Sequence, residues 1–341
     1  MADRVNRRWL LASYPTGEPS LDNFEFATAP IPEPSPGQVL VRSIYMSLDP
    51  YMRGRMRPGP SYTTPNQIGD VIEAGAVGVV ESSRHPDVAE GSIVQGRIGW
   101  QEYAVLSGEE VRVVDPSLAP ISTALGVLGM PGMTAYFGFL EVGRPKSAET
   151  VLVSAASGAV GGLVGQIAKI KGCRVVGIAG TEAKCSYVAD ELGYDASINH
   201  RTADVKREIQ RLCPDGVDVY FDNVGGKILD ATLQNINVGA RIVICGMISE
   251  YNLPTPEIAP RPTRKLLVRR ARMEGFLVFD FEEQYPDGRR QMAEWIDEGR
   301  IKYKEDVVEG LENAPEAFFG LLKGENFGKL LIKVSDEPDG L

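Results

Sequence analysis

A glycine-rich turn at residues 156–161 is the part of the sequence whose residue types point most directly to chemistry. It reads Ala-Ser-Gly-Ala-Val-Gly, an A-x-G-x-x-G pattern, directly after the apolar run Val151–Val153. The free N–H groups at the start of a helix can hold a diphosphate, but only where no side chain blocks the backbone. We therefore predict a dinucleotide site in which Gly158 makes the close contact and Gly161 lets helix and strand pack closely.

The residues around this turn predict a strand-helix-strand unit. Val151–Val153 is too short for a buried helix and is typical of a strand covered on both faces. After the turn, apolar residues recur at helical spacing until Gly172, and the strand-like run 174–179 follows. Such a unit supplies the strand and helix that a phosphate-binding turn needs. A glycine-rich turn without a ligand is the alternative that remains open.

The sequence that follows alternates between helical and strand-like segments. We predict helices at 182–192, 204–212, 227–236 and 289–298, and strands at 196–199, 217–221, 241–245 and 276–278. This alternation is typical of a parallel, doubly wound sheet, where ligands lie at the carboxyl ends of the strands. Asn223, the loop 245–251 and the loop after 276–278 should therefore share one crevice with Gly158.

The first 125 residues or so are predicted to form a separate, β-rich domain of the barrel or sandwich type. Proline- and glycine-rich turns separate short strand-like pieces at 7–12, 38–46, 71–81, 93–96, 101–106 and 111–114. Near the C-terminus we predict a strand at 302–309, a helix at 314–323 and a strand at 329–334. That last strand could rejoin the N-terminal domain.

Composition excludes several classes of function. The 341 residues are 43% hydrophobic and 24% charged with a net charge of −10, which argues against a nucleic-acid partner. No apolar run approaches the ~20 residues of a membrane span, and no signal peptide is expected. Four scattered cysteines and two histidines match no metal-ligand spacing, so we predict no metal and a reducing, cytoplasmic compartment.

The end of the second strand of the unit indicates which dinucleotide is bound. NAD-selective sites carry an acidic residue there for the ribose 2′-hydroxyl, whereas this strand ends Ile-Ala-Gly-Thr at 178–181. Lys184 follows at the start of the next helix, where a cation can meet a 2′-phosphate. Glu182 could serve NAD instead. The pattern favours NADP.

Several motifs together resemble one family, the zinc-independent medium-chain dehydrogenase/reductases, and within it the prostaglandin reductase and alkenal double-bond reductase group. The similarity runs over nearly the whole chain. The motifs that carry it are the turn at 156–161, Gly165-Gln166, Asp222–Gly226, Cys245–Asn252, Gly324–Lys329, Asp49–Arg53 and Gly129–Tyr136.

The resemblance implies a fold and an activity. The fold is α/β, with a Rossmann doubly wound parallel sheet at 126–309 plus a GroES-like β-rich substrate domain at 1–125, completed by 310–341. The activity is NADPH-dependent reduction of the carbon–carbon double bond of α,β-unsaturated aldehydes and ketones, 15-oxoprostaglandin-like or phenylpropenal compounds among them. The protein is usually a homodimer.

The resemblance also implies the cofactor-binding residues. The pyrophosphate would be held by Gly158, Ala159, Val160 and Gly161, and the 2′-phosphate by Lys184. The nicotinamide and ribose would be lined by Asn223, Cys245, Gly246, Met247, Ile248, Ser249, Tyr251, Phe276, Leu277, Val278 and Asn326. Related sequences often carry Tyr where this chain has His200, which can still donate to the 2′-phosphate, more strongly when protonated.

Two tyrosines are the candidate catalytic residues. Hydride transfer to the β-carbon of an enone leaves negative charge on the carbonyl oxygen, and a donor placed there stabilises the transition state. We expect Tyr251 to donate to this oxygen or to order the ribose, and Tyr51 to position the substrate. Arg53 and Arg55 could attract a polar substrate tail or be surface arginines, and His85 is expected at the surface.

Two alternatives remain at this stage. A zinc-free NADPH quinone oxidoreductase would accept quinones without depending on the tyrosines. A non-catalytic NADPH-binding redox sensor would keep the glycine turn and Lys184 but would need no tyrosine in the crevice.

Overall fold

The computed structural model describes residues 5–59 and 61–339, and its strands follow the predicted alternation of elements. In chain order the strands of the described residues are β1 Val5–Leu11, β2 Phe24–Pro30, β3 Gln38–Ser47, β4 Ala76–Ser83, β5 Ile93–Gly96, β6 Tyr103–Ser107, β7 Arg112–Val113, β8 Thr150–Ser154, β9 Arg174–Ala179, β10 Ala196–Asn199, β11 Val217–Asp222, β12 Ile236–Ile244, β13 Arg272–Gly275, β14 Glu305–Glu309 and β15 Lys329–Lys333.

The helices are mostly short. Those of the described residues are α1 Met52–Arg55, α2 Met130–Phe137, α3 Gly161–Ile170, α4 Glu182–Ser186, α5 Val205–Leu212, α6 Gly226–Thr232, α7 Thr263–Arg269, α8 Tyr285–Asp297 and α9 Ala314–Leu322. A π-helical turn, Tyr187–Glu191, continues α4. In this part of the chain, none of the helices has both the length and the apolar character that crossing a bilayer requires.

The chain divides into two compact units. One consists of the described residues up to Leu125, Glu305–Asn326 and the described residues from Leu330 onward, and the other of Gly126–Lys304 with Phe327–Lys329.

The second unit is built on a six-stranded sheet in the order β10-β9-β8-β11-β12-β13. All of its strand pairs are parallel. The strand order reverses between β8 and β11, which is the doubly wound arrangement, and ligands bind at the point of reversal in such sheets. Every residue of β8 is buried, as expected for a strand covered by helices on both faces. The predicted α/β Rossmann class is confirmed.

The first unit is β-rich, as predicted. Its larger sheet runs β14-β15-β3-β4-β5-β7, with β6 also paired to β3. Leu331 lies opposite Ser47 in the antiparallel β15–β3 pair, so the last strand does rejoin the N-terminal domain. An aromatic cluster lies in the core, where Trp100 stacks on Phe24 and meets Phe318 edge-on, with ring centroids 5.8 and 5.7 Å apart.

One predicted helix of the second unit was wrong at its C-terminal end. The helix expected at 227–236 ends at Thr232, and Ile236 already begins β12. Asn235 explains this early end, because its side-chain amide donates to the carbonyl of Cys213 and its own carbonyl accepts from the N–H of Val217. These long-range bonds hold the backbone beside β11. They override the helical spacing of the apolar residues.

Other element boundaries also differ from the predictions. The strand β2 was not predicted, yet it pairs with β1 along its whole length. The helix α8 begins at Tyr285 rather than 289, since Pro286 suits the first turn of a helix. Residues 276–278 follow the strand β13 instead of forming it. The strands expected at 71–81 and 302–309 begin only at Ala76 and Glu305.

Tight packing of α3 against Tyr194 sets the distance between this helix and the sheet. The Tyr194 hydroxyl donates to the carbonyl of Gly161 at 2.5 Å and accepts from the N–H of Gly165 at 3.1 Å. A Cβ atom at Gly165 would overlap the Tyr194 ring. The side chain at position 165 must therefore be absent for the helix to lie this close.

Replacing Gly165 by alanine should destabilise the protein by about 1–3 kcal/mol, because the buried Tyr194 ring has no room to move away. The matched control is Gly162→Ala in the same helix, where the new Cβ would lie 3.2 Å from a Leu192 methyl group and 3.5 Å, an ordinary contact distance, from the carbonyl oxygen of Ala156. Urea unfolding followed by circular dichroism measures both. Equal midpoints for the two variants would contradict this explanation of Gly165.

Candidate functional site

The glycine turn between β8 and α3 has the conformation that a close ligand approach requires. Ala155 adopts a positive φ of 49°, and its carbonyl oxygen accepts from the N–H of Gly158 at 3.0 Å. A Cβ atom at Gly161 would collide with that same carbonyl oxygen. Residues 158–160 are partly exposed, whereas the helix residues after them are buried. The turn thus presents backbone at the N-terminal end of a ten-residue helix.

The segment Phe327–Lys329 lies beside this turn. Gly158 and Gly328 form an isolated parallel bridge, and the N–H of Gly328 donates to the carbonyl of Ser157 at 3.1 Å. Gly328 has a φ of 75°, which favours glycine. Asn326, expected near the nicotinamide, immediately precedes the segment and is half-buried.

Cationic side chains gather at the end of β9, where the 2′-phosphate was predicted to bind. A Cβ atom on Gly180 would lie 3.3 Å from Nε2 of His200 and 3.4 Å from Nε of Arg201. Lys184 is on the first turn of α4 and is buried. Sequence analysis did not identify Arg201. It comes close to Gly180 only because β10 pairs with β9, Asn199 lying opposite Ala179.

Glu182, the acidic residue that could have served NAD, already has a hydrogen-bond partner. Its carboxylate accepts a hydrogen bond from the Asn199 side chain at 2.6 Å. Thr181 caps the helix by accepting from the N–H of Lys184.

The pKa of His200 is lowered by partial burial and then by the Arg201 guanidinium, so the imidazole is mainly neutral at pH 7. A bound phosphate dianion would favour its protonation.

Asp222 organises the carboxyl end of β11. One of its carboxylate oxygens accepts from the hydroxyl of Tyr220 at 2.8 Å and from the N–H groups of Val224 and Gly225, both at 2.9 Å. Burial raises the pKa of Asp222, and the hydrogen bonds only partly offset that effect. The adjacent Asn223 donates through its side-chain amide to the carbonyl of Ser154 at 2.7 Å. The loop after β11 is therefore fixed against β8.

The loop after β12 is hydrogen-bonded to the loop after β11. The N–H groups of Cys245 and Gly246 both donate to the carbonyl of Asp222, at 2.9 and 3.1 Å, and further bonds run from Ile248 and Ser249 to Asn223 and Val224. Met247 is exposed at the surface of this loop. Cys245 is half-buried, and burial, followed by the charge of Asp222, raises its pKa to about 12. Its thiol is therefore protonated at neutral pH.

Tyr251 folds back over its own loop. Its hydroxyl accepts a long hydrogen bond from the N–H of Met247 at 3.5 Å and would lie 3.3 Å from a Cβ atom on Gly246. That same Cβ position is 3.4 Å from the carbonyl oxygen of Asn223. The structure therefore brings Tyr251, Gly246 and Asn223 together at the carboxyl edge of the sheet.

The residues after β13 divide between core and surface. Phe276 packs its ring against Gly138 and meets Phe221 edge-on, with centroids 6.4 Å apart. Val278 is buried, and Leu277 is exposed.

In the first unit, Tyr51 precedes the short helix α1. Burial, and then the charge of Asp49, raises the pKa of Tyr51, which keeps the phenol protonated. The Arg55 guanidinium lies over its ring at 5.1 Å.

The alternative that Arg53 and Arg55 are surface arginines was wrong, because both are buried. Arg53 donates to the carbonyls of Pro15 and Gly17, and Arg55 pairs with Glu73. His85 was also misplaced. Only 9% of its side chain is exposed, and its ring packs on Gly108.

Of the four cysteines, Cys173, Cys185 and Cys213 are buried, and Cys245 is half-buried. Across residues 5–59 and 61–339, no three His, Cys, Asp or Glu side chains are grouped closely enough to hold a metal ion.

The raised pKa of Asp222 predicts a pH effect on stability. The folded state keeps the carboxyl proton to a higher pH than the unfolded state, so the contribution of Asp222 is present at low pH and is lost as the pH rises through the folded pKa. Relative to Asp222→Asn, the wild type should gain stability as the pH falls from about 6 to 4.

Asp195→Asn provides the control of opposite sign. Burial alone would raise the pKa of Asp195, but hydrogen bonds from Lys169 and the N–H of Val175 outweigh burial and lower it. The wild type should therefore lose stability relative to this variant as the pH falls from about 5 towards 3, through the unfolded and then the folded pKa of Asp195. Urea unfolding at each pH measures both differences. If the two differences in unfolding free energy changed with pH in the same direction, the assigned pKa shifts of Asp222 and Asp195 would be contradicted.

Comparisons with known proteins cover nearly the whole chain. The family described as "N-terminal domain of oxidoreductase" matches residues 7–114, and the one described as "Zinc-binding dehydrogenase" matches residues 159–297. The NADPH-dependent curcumin reductase of Escherichia coli (strain K12) is 46% identical over 97% of this chain and 98% of its own length. The 2-alkenal reductase (NADP(+)-dependent) of Nicotiana tabacum is 44% identical over 99% and 100%.

A solved structure agrees with these matches. The crystal structure of CurA in complex with NADPH from Vibrio vulnificus has 46% sequence identity and a TM-score of 0.93, covering 97% of this chain and 100% of its own. Together with the parallel sheet and the glycine turn, these similarities establish the family. The chain belongs to the zinc-independent medium-chain dehydrogenase/reductases, a family of oxidoreductases.

Proposed function

We propose that this protein uses NADPH to reduce the carbon–carbon double bond of α,β-unsaturated aldehydes and ketones. The observation that carries the proposal is the arrangement along one sheet edge, where a glycine turn follows β8, basic side chains follow β9 and β10, and the Tyr251 hydroxyl follows β12. The similarity to a curcumin reductase and a 2-alkenal reductase supports the same reaction. The enzyme is an NADP-dependent oxidoreductase acting on C=C bonds.

NADPH is the cofactor, and it supplies the hydride when it is bound. The pyrophosphate is assigned to the turn Gly158–Gly161, since residues 158–160 are partly exposed at the start of α3. The ribose and nicotinamide are assigned to the ends of β11, β12 and β13 and to the residue before the segment at Gly328. The residues proposed there are Asn223, Cys245–Ser249, Tyr251, Phe276–Val278 and Asn326.

The 2′-phosphate is assigned to Lys184 and His200, with Arg201 as an additional donor. Arginine forms strong, paired hydrogen bonds with phosphate. Nε of Arg201 and Nε2 of His200 lie at nearly the same distance from a Cβ position on Gly180. Glu182 does not oppose this assignment, because its carboxylate is held by Asn199.

Tyr251 is proposed to stabilise the charge that develops on the carbonyl oxygen during reduction. A phenol is protonated at neutral pH and can donate one strong hydrogen bond. The Tyr251 hydroxyl accepts from the N–H of Met247, so its own proton is oriented away from that nitrogen. Stabilising the enolate oxygen lowers the barrier more than binding the substrate alone.

Tyr51 is proposed to position the substrate. It stays protonated because burial raises its pKa, and the Arg55 guanidinium over its ring fixes its orientation. The unit that carries Tyr51 is assigned as the substrate domain, and the unit that carries Tyr251 is assigned as the cofactor domain. We assign a homodimer from the resemblance of the motifs to the family. The buried thiols are consistent with a reducing cytoplasm.

The acceptor test measures NADPH oxidation with a small enal, an enone, a quinone and no acceptor. We expect turnover with the enal and enone, little with the quinone and none without an acceptor. Fast turnover with quinones alone would replace the proposal with a quinone reductase. Cofactor binding without turnover of any acceptor would favour a non-catalytic redox sensor.

Replacing Tyr251 by phenylalanine should reduce kcat on an enone by about 100-fold, since this is the typical effect of losing one donor to a developing oxyanion. The matched control is Tyr45→Phe, because Tyr45 belongs to the first unit and its hydroxyl donates to the exposed Glu337 carboxylate at 2.9 Å. Steady-state kinetics with NADPH separates kcat from KM. An unchanged kcat would eliminate the proposed role of Tyr251.

Replacing Lys184 by methionine should weaken NADPH binding by about 10- to 100-fold and leave NADH binding nearly unchanged, because only NADPH carries the 2′-phosphate. Lys206→Met on α5 is the control, since Lys206 is an exposed helix lysine. Dissociation constants come from the fluorescence of the bound reduced cofactor. A parallel loss of NADH affinity would point to damage to the fold instead.

A further inference from the structure

Two residues that directly precede Tyr251 hold its loop against the loop after β11. The N–H of Gly226 donates to Oε1 of Glu250 at 3.2 Å. The hydroxyl of Ser249 donates to the carbonyl of Val224 at 2.6 Å, and the N–H of Ser249 donates to the same carbonyl at 3.1 Å. The bond to Glu250 is therefore made by the residue next to the candidate catalytic tyrosine in the chain.

The carboxylate of Glu250 bonds a backbone donor that has no partner inside its own helix. Gly226 is the first residue of α6, and the N–H groups in the first turn of a helix have no acceptor within that helix. A carboxylate is a stronger acceptor than a neutral oxygen. Glu250 is half-buried, so water competes only partly for its oxygens. The bond should therefore restrict the loop more than a neutral contact at the same distance.

Two glycines let the loops lie this close together. Gly225 and Gly226 have φ angles of 73° and 53°, in the left-handed region that favours glycine. A Cβ atom on Gly225 would lie 2.9 Å from Oε1 of Glu250 and 3.2 Å from Cβ of Met247. A Cβ atom on Gly226 would lie 2.8 Å from the hydroxyl oxygen of Ser249. A side chain at either position would thus displace the groups that bond this turn.

Met247 connects the Glu250 contact to the Tyr251 hydroxyl. The N–H of Glu250 donates to the carbonyl of Met247 at 2.8 Å, which closes a turn over residues 247–250. The N–H of Met247 donates to the Tyr251 hydroxyl at 3.5 Å. That bond is long, so on its own it orients the hydroxyl only weakly. The place of the hydroxyl therefore depends on the turn that supplies the bond, and Glu250 connects this turn to α6.

We propose that Glu250 is a positioning residue for the reaction: by bonding the start of α6, it sets the place from which the Tyr251 hydroxyl donates to the carbonyl oxygen of the acceptor. This inference rests on the proposed function, because it requires that hydroxyl to act in the chemical step. Glu250 itself contacts neither the cofactor nor the acceptor in this assignment. Its removal should therefore lower kcat through Tyr251 and leave cofactor affinity nearly unchanged.

A double-mutant cycle tests the inference. Glu250→Ala, Tyr251→Phe and the double variant are compared with the wild type by their kcat on one enone at saturating NADPH. Glu250→Ala should lower kcat about 10-fold, because a displaced donor stabilises the developing charge less. Tyr251→Phe should lower kcat about 100-fold. Adding Glu250→Ala to Tyr251→Phe should change kcat by less than about twofold, since the hydroxyl that Glu250 positions is already absent.

Two further variants separate positioning from general damage. Glu250→Gln keeps an acceptor oxygen on a side chain of the same length and should retain kcat within about threefold of the wild type. Glu298→Ala removes an exposed glutamate of the same unit, paired with the exposed Arg300, and should leave kcat unchanged. In Glu250→Ala the dissociation constant of NADPH should stay within about twofold of the wild-type value, because the lost interaction acts in the transition state. Thermal unfolding checks that each variant is folded.

Three outcomes overturn the inference. If Glu250→Ala has the kcat of the wild type, Glu250 does not position Tyr251, and the proposed function still stands. If Glu250→Ala lowers kcat by the same factor with and without the Tyr251 hydroxyl, Glu250 acts independently of it. If Tyr251→Phe has the kcat of the wild type, the proposed role of Tyr251 fails, and this inference fails with it.

Discussion

The close approach of the Ala155 carbonyl oxygen to Gly161 is the constraint on which the second unit depends. It closes the turn between β8 and α3, and no side chain larger than hydrogen fits at position 161. The helix then begins where its free N–H groups face the carboxyl edge of the sheet. Tyr194 fixes the same helix from the other side through Gly161 and Gly165. The proposed anion site at this edge therefore depends on how tightly the backbone is packed.

A second constraint is the buried carboxylate of Asp222, which orders the loop after β11. Its side chain and its carbonyl together collect hydrogen bonds from both neighbouring loops. These bonds favour one conformation of the two loops, since alternatives would leave the buried donors unpaired. This explains how Tyr251, in a loop of the chain, acquires a defined position beside Gly246 and Asn223. The fixed position that the proposed role of Tyr251 requires thus originates in the structural hydrogen bonds of the loops.

The sequence predicted the features that depend on local patterns and missed those that depend on distant contacts. The strand-helix-strand unit at 151–179 was correct because periodicity and glycine positions are read within a few residues. The end of α6 was wrong because Asn235 is held by Cys213 and Val217, across strand pairs that no local pattern reveals. Burial of Arg53 and Arg55 was missed because charged residues are rarely buried unless they find partners. Arg201 reaches Gly180 only through the pairing of β10 with β9.

The central claim is that the backbone at the start of α3, with cations at the end of β9, holds a phosphorylated dinucleotide. Calorimetric titration of the folded wild-type protein with NADPH, and separately with NADH, tests this claim most directly. We expect saturable binding of NADPH at one site per chain, with clearly weaker binding of NADH. The absence of any NADPH binding, or equal affinity for the two cofactors, would contradict it.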